Sequence, residues 1–401
     1  MLSFSHTSAG ARRALLLLAG AVCTVPAGAA ISDTIHPYVA VNRAYDDNLF
    51  RLDEHAEGIG GQRSDHTTRT DFGLLFDRPI GLQRLTGQFK ESRVKFDHFS
   101  DLDYNGKDYL ADLEWHIGNH LEGHAGAAYS QTLTSFIDFH AAERNLRVQR
   151  REYVDGAWRF HPSFRVRAAL TRQKSTYDLA AQRFNDRTED EADLGFDYLP
   201  PSGSRFGLQF SRLKGSYPYP RLVGTIPIDD DYTQREVKAN IYWVFSATSQ
   251  FTMLAGWAER RHGVLGERDS SGLNGRAVMN WAMLRKLRMT ASVWREFAAV
   301  ESSFINNSLN KGANFNTAWD VSAKVNASAN LRRETRDFST LAGRVAPSGL
   351  YDSTRTASLG VNYMPTLSVL LSANLFRETR SGNFSTNYRS NGMSVSASAQ
   401  F

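Results

Sequence analysis

Beyond its first thirty residues, the sequence has no apolar run long enough to cross a membrane as a helix. Such a helix needs about 20 predominantly apolar residues, and the longest run near the start covers only residues 14–18. The 401 residues include a single cysteine, Cys23, which excludes a disulfide framework and a thiolate metal site. The formal net charge of +5 is spread along the chain without a basic block, so a nucleic-acid partner is not indicated.

The beginning of the chain has the composition of a cleaved signal peptide. Two arginines precede the short apolar run, and small residues follow it up to the point where a signal peptidase would cut. We predict cleavage after Ala29 or Ala30, which makes residues 1–29 the signal peptide and residues 30–401 one mature domain. In the alternative interpretation the protein is a lipoprotein acylated at Cys23, but the small residue wanted before that cysteine is missing.

The mature chain is rich in strict alternation of apolar and polar residues. The segment that begins at Phe164 puts its apolar side chains on one face and residues such as Arg165, Arg167 and Gln173 on the other. The pattern recurs in residues 191–198, 205–211, 236–243 and 393–401. No linker or low-complexity tract divides the chain, so a single all-β architecture is predicted. A soluble sandwich also gives alternation, and further evidence must decide.

A longer repeat supplies that evidence, because an aromatic residue precedes a tight connection about every 40 residues. Polar loops separate these connections, so two long strands fill each repeat. A β-propeller has a similar period but needs four short strands in each blade. Amphipathic rings prefer the headgroup level of a membrane. We therefore predict a periplasmic aromatic girdle made of Trp115, Trp158, Tyr198, Trp243, Trp281, Trp319 and Tyr363.

Together these patterns predict a single transmembrane antiparallel up-and-down β-barrel of about 18 strands, with short periplasmic turns and longer extracellular loops. Its expected location is the outer membrane of a Gram-negative bacterium, where it contacts lipid and lipopolysaccharide. The terminal Phe401 follows alternating apolar residues. We expect it to act as the C-terminal signal for the barrel-assembly machinery.

The polar faces of neighbouring strands predict a charged lumen wall. Glu191 and Asp193 lie about 7 Å apart on one face, a spacing that an inverting glycosidase could use. Flanking arginines favour ionised carboxylates instead, so a charge ladder is preferred and no enzymatic activity is predicted. The lumen-facing residues of this wall are Arg165, Arg167, Glu191, Asp193, Asp197, Arg205, Glu236 and Lys238.

Other candidate sites favour structural interpretations, and neither a metal nor a cofactor is predicted. His120 and His124 are too far apart on an extended strand to share an ion. If the hairpin pairs His116 with Glu122, ordinary cross-strand polar pairs result. The acidic run at residues 229–231 is expected to be solvated rather than to bind divalent cations. The rings of Tyr217 and Tyr219 either stack on sugars or belong to a loop stiffened by two prolines.

Several segments of the mature chain resemble the exopolysaccharide biosynthesis outer-membrane proteins of the EpsL type. The resemblance covers residues 34–39 and 45–52, the latter including the motif Asp46, Asp47 and Asn48, and continues in residues 63–65, 76–84 and 99–104. It implies a barrel that carries a polysaccharide across the outer membrane with periplasmic export components as partners. It supplies no catalytic motif, and the Asp46–Asn48 motif is interpreted as holding the rim of the first strand.

The leading hypothesis for function is therefore a passive conduit for an exopolysaccharide. A general or selective porin for small solutes is the first alternative, and a non-conducting receptor or assembly scaffold is the second. An eighteen-stranded barrel encloses an aqueous lumen unless loops fill it. Loops at residues 131–146 and 214–231 are long enough to fold inward and narrow the opening, which we state as a hypothesis.

Overall fold

The structure, a computed structural model, describes residues 34–223, 225–264, 266–300, 307–341 and 344–401. The predicted signal peptide, its cleavage position and Cys23 lie outside these ranges. Among the described residues, no helix is long and apolar enough to cross a membrane. Three short 3-10 helices occupy Ser100–Leu102, Ala180–Asn185 and Gly266–Arg268.

Eighteen long strands form the body of the molecule, and consecutive strands run in opposite directions. The strands that run from the periplasmic to the extracellular end are β1 (Ile35–Asp46), β3 (Gln83–Phe96), β5 (Leu121–Leu133), β7 (Phe164–Tyr177), β9 (Arg205–Ser216), β13 (Ser249–His262), β15 (Leu287–Ala299), β17 (Val325–Leu341) and β19 (Val369–Gly382). The returning strands are β2 (Asp65–Ile80), β4 (Tyr104–Ile117), β6 (Leu146–His161), β8 (Arg187–Tyr198), β12 (Tyr232–Ser246), β14 (Ser270–Leu284), β16 (Asn307–Asp320), β18 (Arg344–Thr366) and β20 (Tyr388–Gln400). A separate small hairpin comprises β10 (Arg221–Val223) and β11 (Ile226–Ile228).

The long strands close into one antiparallel barrel. Each strand pairs with its neighbours in the chain, and β1 also pairs with β20 from Tyr38 opposite Gln400 to Asp46 opposite Gly392. The backbone N–H of Phe401 donates to the carbonyl oxygen of Pro37 at 2.9 Å, which extends this seam. Closure satisfies the edges that an open sheet would expose to lipid. The predicted all-β barrel of 18 strands is confirmed.

The barrel is apolar outside and polar inside. On β7, Leu170 is 60% exposed on the outer face, whereas Asp197, which the register places opposite Arg165 on the adjacent strand β8, is 0% exposed on the inner face. The same alternation runs through the other long strands, where exposed apolar side chains form a band around the barrel. Lipid tails cover such a band in a membrane, so the outward side chains need no protein core. The chain has the fold of an outer-membrane β-barrel.

The periplasmic turns are short, as predicted, but one of them lies later than expected. Gly81, Gly118 and Gly203 occupy turns with φ values of 63°, 59° and 78°, a conformation that residues with a Cβ rarely adopt. The predicted turn around Pro365 lies within β18, and the chain reverses at residues 367–368. Pro365 is tolerated there because the register shifts between Tyr363 and Thr366, where the missing N–H removes no ladder bond.

Five extracellular loops are needed to describe the lumen. They are numbered in chain order, and L4, which joins β7 to β8, is not one of the five. They occupy residues 47–64 (L1), 97–103 (L2), 134–145 (L3), 217–231 (L5) and 263–269 (L6). L5 contains the β10–β11 hairpin, which the sequence did not predict. These loops lie at the end of the barrel opposite the short turns.

Candidate channel constriction

A small hydrophobic core lies inside the extracellular mouth of the barrel. Phe50 of L1 and Leu102 of L2 are fully buried, and they pack with Phe136 of L3 and with Phe96 on β3. The rings of Phe50 and Phe136 meet edge to face with centroids 4.8 Å apart, a favoured arrangement for aromatic pairs. Burial of these side chains away from water stabilises the inward position of the three loops.

The tip of L3 is bound to the barrel wall by two arginines. Asp138 accepts hydrogen bonds from Arg336 Nη1 and Nη2 at 2.9 and 2.8 Å, and from Arg380 Nη2 at 3.1 Å. Arg380 also donates to the carbonyl oxygen of Ile137. Bidentate arginine–carboxylate pairs fix geometry as well as charge, so the tip has a defined position.

These contacts cross the lumen. L3 joins β5 to β6, whereas Arg336 lies on β17 and Arg380 on β19. The shorter path around the ring from β5 to β19 passes six strand positions, which is a third of the barrel. Both arginines are on the inner face, since they pair in register with the inward residues Asp352 and Thr354. L3 therefore spans the inside of the mouth rather than its rim.

A second carboxylate completes the latch, a term used here for Asp138, Arg336, Arg380 and Asp352. Asp352 is fully buried and accepts bonds from Arg336 at 2.9 and 2.7 Å and from Arg380 at 3.1 and 2.7 Å. The hydroxyl of Ser385 donates to it at 2.8 Å. Two positive and two negative groups thus balance, as buried charges require.

The charge state of the latch follows from its composition. Burial alone would raise the pKa of the Asp138 carboxyl, but the guanidinium groups of Arg336 and Arg380 outweigh it and hold that pKa well below its usual range. Because a lowered pKa means that the charged form is favoured, Asp138 is ionised at neutral pH. The latch is closed under those conditions.

Further hydrogen bonds hold L3 at its base and along its length. The N–H of Thr134 donates to the carbonyl oxygen of Asn145 at 2.8 Å and closes the base of the loop. His140 Nδ1 donates to the carbonyl oxygen of Phe50 at 2.8 Å and joins L3 to L1. The hypothesis that residues 131–146 fold inward is confirmed by these contacts.

L5 contains a comparable ion-paired aspartate, but its contacts are local. Asp230 accepts from Arg221 Nε at 2.9 Å and from Arg268 Nη2 at 2.8 Å, and all three side chains are nearly inaccessible. Arg221 is in L5 itself and Arg268 is in the adjacent L6. The prediction that the acidic run at residues 229–231 is solvated is therefore wrong for Asp230. Whether L5 narrows the lumen stays a prediction.

The two tyrosines of L5 have different environments. Burial raises the pKa of Tyr217 to about 12, and its backbone N–H donates to Asp231 at 2.6 Å. Tyr219 is about half exposed. Only Tyr219 is therefore available for stacking on a solute.

The predicted lumen wall contains one tight cluster of charges. Asp197 is fully buried and accepts from Arg165 at 3.0 Å and from Arg167 at 2.6 Å. Arg165 also reaches Glu122 on β5 at 3.1 Å. The structure thus brings Arg165, Arg167 and Asp197 together as an arginine–carboxylate network.

The remaining carboxylates of this wall have separate partners. Asp193 accepts from Gln209 at 3.1 Å and from the hydroxyl of Ser211. Glu191 lies two residues away on the same face of β8. The donors to Asp193 are neutral side chains, and the flanking arginines bind Asp197 rather than Glu191 or Asp193. No contact on this face indicates catalytic chemistry among the described residues.

Farther along the wall, Glu236 and Lys238 form an ion pair on β12. Glu236 also accepts from Gln234 at 2.6 Å and from Asn274 at 3.2 Å. Arg205 lies at the periplasmic end of β9 and is largely buried. The strands β7 to β13 thus carry a charged arc of the lumen, in which most groups are already paired.

The periplasmic half of the opposite arc of the lumen is largely neutral. The register places amides and hydroxyls on the inner face of β16 to β20 at the periplasmic half, where they can both donate and accept hydrogen bonds. Asn330 donates to Asn314 at 2.8 Å within this set. The residues are Asn314, Asn316, Asn326, Ser328, Asn330, Ser358, Asn362, Ser372, Asn374, Ser394, Ser396 and Ser398.

The histidines of the β4–β5 hairpin form cross-strand polar pairs. His116 is opposite Glu122, and Glu114 is opposite His124, as the sequence predicted for this hairpin. His124 Nδ1 lies 3.1 Å from Asp112. Among the described residues, no group of three or more His, Cys, Asp or Glu side chains is arranged to hold a metal ion.

The aromatic residues predicted as a girdle all lie near the periplasmic ends of their strands. Trp158, Trp243 and Trp319 are exposed on the outer face, as are Tyr198, Trp281 and Tyr363. Trp115 is less exposed because its ring covers Gly123 and Gly156 on the next two strands, where a Cβ would meet the indole at 2.5 and 3.3 Å. This row lies at the level where rings meet headgroups in outer-membrane barrels.

The motif from the family resemblance lies at the seam of the barrel. Asp46 accepts from the hydroxyl of Ser390 at 2.7 Å, and Asp47 accepts from the side chain and backbone of Asn391 at 2.8 and 2.7 Å. Asn48 is buried and donates to the carbonyl oxygen of Arg389 at 2.9 Å. All three residues thus bind β20 at the point where β1 enters L1.

Sequence reasoning missed the latch. Asp138 and Arg336 are 198 residues apart, and neither lies in a recognisable motif. A usable signal was present in the loops, because L1 and L3 contain large apolar residues, among them Phe50 and Phe136. Such residues at the open end of a barrel indicate a loop whose apolar side chains pack against other parts of the protein.

No protein-family model matches the chain, and no curated protein matches it in sequence. The resemblance to exopolysaccharide proteins therefore gains no support from these comparisons. Solved structures do match in fold. OccK1 (OpdK) of Pseudomonas aeruginosa has a TM-score of 0.51 at 10% identity, with 92% of this chain and 99% of that chain covered. OccK2 (OpdF) of the same organism has a TM-score of 0.50 at 9% identity, with 92% and 98% covered.

A third similar structure is that of OpdK with vanillate from Pseudomonas aeruginosa, with a TM-score of 0.50, 9% identity and 92% and 99% of the two chains covered. At this level of identity the likeness concerns the fold alone. It shows that the chain shares the closed-barrel fold of these structures, in agreement with the predicted fold.

Proposed function

We propose that this barrel is a passive outer-membrane channel for small hydrophilic solutes. The observation that carries the proposal is the latch, because Asp138 holds L3 across the inside of the mouth through Arg336 and Arg380. A fixed loop inside a wide barrel reduces its bore and presents polar groups to a passing solute. The first alternative from the sequence is thus preferred to the exopolysaccharide conduit.

The two arcs of the lumen wall support a channel that favours polar solutes. Paired charges on β7 to β13 and neutral amides and hydroxyls on β16 to β20 offer both donors and acceptors to a solute. Such groups replace water at a solute without binding it tightly, as passage requires. OpdK was solved with vanillate, so small carboxylates are a reasonable first set of probes for this barrel.

Conductance in planar bilayers tests the proposal. The purified protein is expected to give ohmic current, and shortening L3 between Thr134 and Asn145 is expected to increase the current per channel. A variant of L5 that lacks the β10–β11 hairpin serves as a control for loop removal in general. Absence of current in the wild type would favour the receptor or scaffold hypothesis.

Liposome swelling with solutes of graded size separates the channel from the polymer conduit. Swelling is expected with small carboxylates and small sugars and is expected to fall as the solute grows. Deletion of the gene is expected to leave secreted polysaccharide unchanged. Loss of that polymer on deletion would restore the conduit hypothesis.

A further inference from the structure

Basic side chains point outward just above the apolar band on β9, β12 and β13. On β9 the outer face changes from Leu208 and Phe210 to Arg212 and Lys214, and β12 changes from Val237 to Arg235. The register places Arg235 directly opposite Arg212. All three strands thus change from apolar to charged at one level, which is where lipid tails give way to headgroups.

Arg212 and Arg235 face each other across β9 and β12, and Glu259 of β13, the carboxylate in register with Arg235, is bound to Arg261. Like charges directly opposite each other on adjacent strands destabilise a sheet. Among the described residues, neither guanidinium has a carboxylate partner. The nearby carboxylates have other partners, since Asp190 binds Arg172 at 2.6 and 3.2 Å and Glu259 binds Arg261 at 2.8 and 2.6 Å.

Elsewhere at this level, some outward charges form neutral pairs. Lys311 lies 2.6 Å from Asp337, and Arg43 is paired with Asp97. Like charges also face each other at Arg333 and Arg355. At the Arg212–Arg235 site, a cavity lies beside the like charges.

A groove of about 380 Å³ lies over these side chains. Its lining contains four cationic side chains, Arg212, Lys214, Arg235 and Arg261, and two carboxylates, Asp231 and Glu259, so the lining is net positive. It opens at the outer face of the barrel, directly above exposed Phe210, Val237 and Trp257. A ligand that binds both the basic side chains of the groove and the apolar side chains below it must combine an anionic head group with apolar chains.

We propose that this groove binds the phosphate of a phosphorylated glycolipid in the outer leaflet of the membrane. Guanidinium groups bind phosphate oxygens through paired, charge-assisted hydrogen bonds. A phosphate between Arg212 and Arg235 would replace their repulsion with two attractive interactions. The acyl chains of the same molecule would lie against Phe210 and Val237, which a soluble anion or an acidic protein would leave uncovered.

Native mass spectrometry of the full-length barrel in detergent tests the proposal with bisphosphorylated lipid A as the probe. The wild type is expected to retain this lipid, and Arg212→Gln/Arg235→Gln is expected to bind it at least about tenfold more weakly, since each lost charge-assisted bond has a substantial effect. The matched control is Lys311→Gln/Asp337→Asn, which removes a neutral pair at the same level on other strands and is expected to bind normally.

A charge exchange separates binding from structure. Arg212→Glu would pair with Arg235, and its other in-register neighbour is the neutral Ala192 on β8, so the barrel is expected to be as heat-stable as the wild type or more so in lipid-free detergent. It is nevertheless expected to lose the gain in Tm that lipid A gives the wild type. A merely structural role for Arg212 predicts the opposite result, namely lower stability with unchanged lipid binding.

The lipid probes distinguish the source of the phosphate. Lipid A without phosphates and excess inorganic phosphate are both expected to bind poorly. Equal binding of the phosphate-free lipid would overturn the proposal, as would equal binding by Arg212→Gln/Arg235→Gln. Tight binding of inorganic phosphate alone would also overturn it, because the apolar part of the groove would then have no role.

Discussion

L3 and L5 contain the same chemical arrangement, an aspartate between two arginines, but they use it differently. Asp138 of L3 binds arginines on β17 and β19 across the lumen, whereas Asp230 of L5 binds arginines in its own loop and in L6. The first arrangement fixes a loop inside the passage, and the second joins neighbouring loops. Where the partners lie, rather than the strength of the ion pair, decides whether an aspartate fixes a loop inside the lumen.

The largest effect is expected from Asp352→Asn, which removes the buried wall side of the L3 latch. Arg336 and Arg380 would then share only Asp138, and breaking a buried ion pair costs about 3–5 kcal/mol. We expect both a lower unfolding temperature, measured by the heat-dependent gel shift of the barrel, and a larger single-channel conductance. Unchanged conductance would show that L3 does not depend on the latch.

Asp138→Asn tests the loop side of the same latch. Its side chain is 21% exposed, so we expect a smaller loss of about 3 kcal/mol in the free energy that holds the loop. Conductance is expected to rise and to become noisier, because L3 would move between positions. The unfolding temperature of the barrel is expected to change little, since the wall pairs with Asp352 remain.

Asp230→Asn is the matched variant in L5. The loss is again expected to be about 3 kcal/mol, but it should appear as faster proteolysis within residues 217–231 and not as altered conductance. A conductance change equal to that of Asp138→Asn would remove the distinction between the two loops.

Acid titration gives a smaller effect with a defined sign. A carboxyl whose pKa is lowered in the folded state contributes stability above its ordinary pKa and loses it only as the pH falls through the lowered value. Because the pKa of Asp138 is lowered, conductance is expected to stay constant from neutral pH down to about pH 4, the ordinary carboxyl range. If the conductance of the wild type rose between neutral pH and about pH 4 while that of Asp138→Asn did not, the assigned charge state of Asp138 would be wrong.

The smallest effect is expected from His140→Ala. It removes the 2.8 Å hydrogen bond to the carbonyl oxygen of Phe50, a contribution of about 1 kcal/mol. The latch and the packing of Phe136 remain, so we expect a slight rise in conductance noise in bilayer recordings. An effect as large as that of Asp138→Asn would mean that L1 holds L3 more firmly than the wall does.

Local patterns in the sequence were sufficient to predict the barrel. Alternation around Leu170 determines which face of β7 meets lipid, because a one-residue shift would reverse every side chain. Turn glycines such as Gly118 and the aromatic residues before the turns determine where strands reverse. These features depend on neighbours within a few residues, so they can be identified without knowing the rest of the structure.

The constriction could not be predicted in the same way. The partners of Asp138 lie about 200 residues away, and only the closed barrel brings them within reach. The error at Asp230 has the same cause, since a run of three aspartates shows no sign of the arginines that bury its middle member. Side-chain pairing inside a loop depends on tertiary placement, which periodicity does not contain.

The seam between β1 and β20 has a consequence for how the molecule is made. Asp46, Asp47 and Asn48 bind residues that lie more than 340 positions later in the chain. The contacts that close the barrel therefore join its first and its last strand. Until β20 pairs with β1, one row of backbone N–H and C=O groups on β1 has no hydrogen-bond partner. A chain that lacks β20 therefore leaves these backbone groups of β1 exposed.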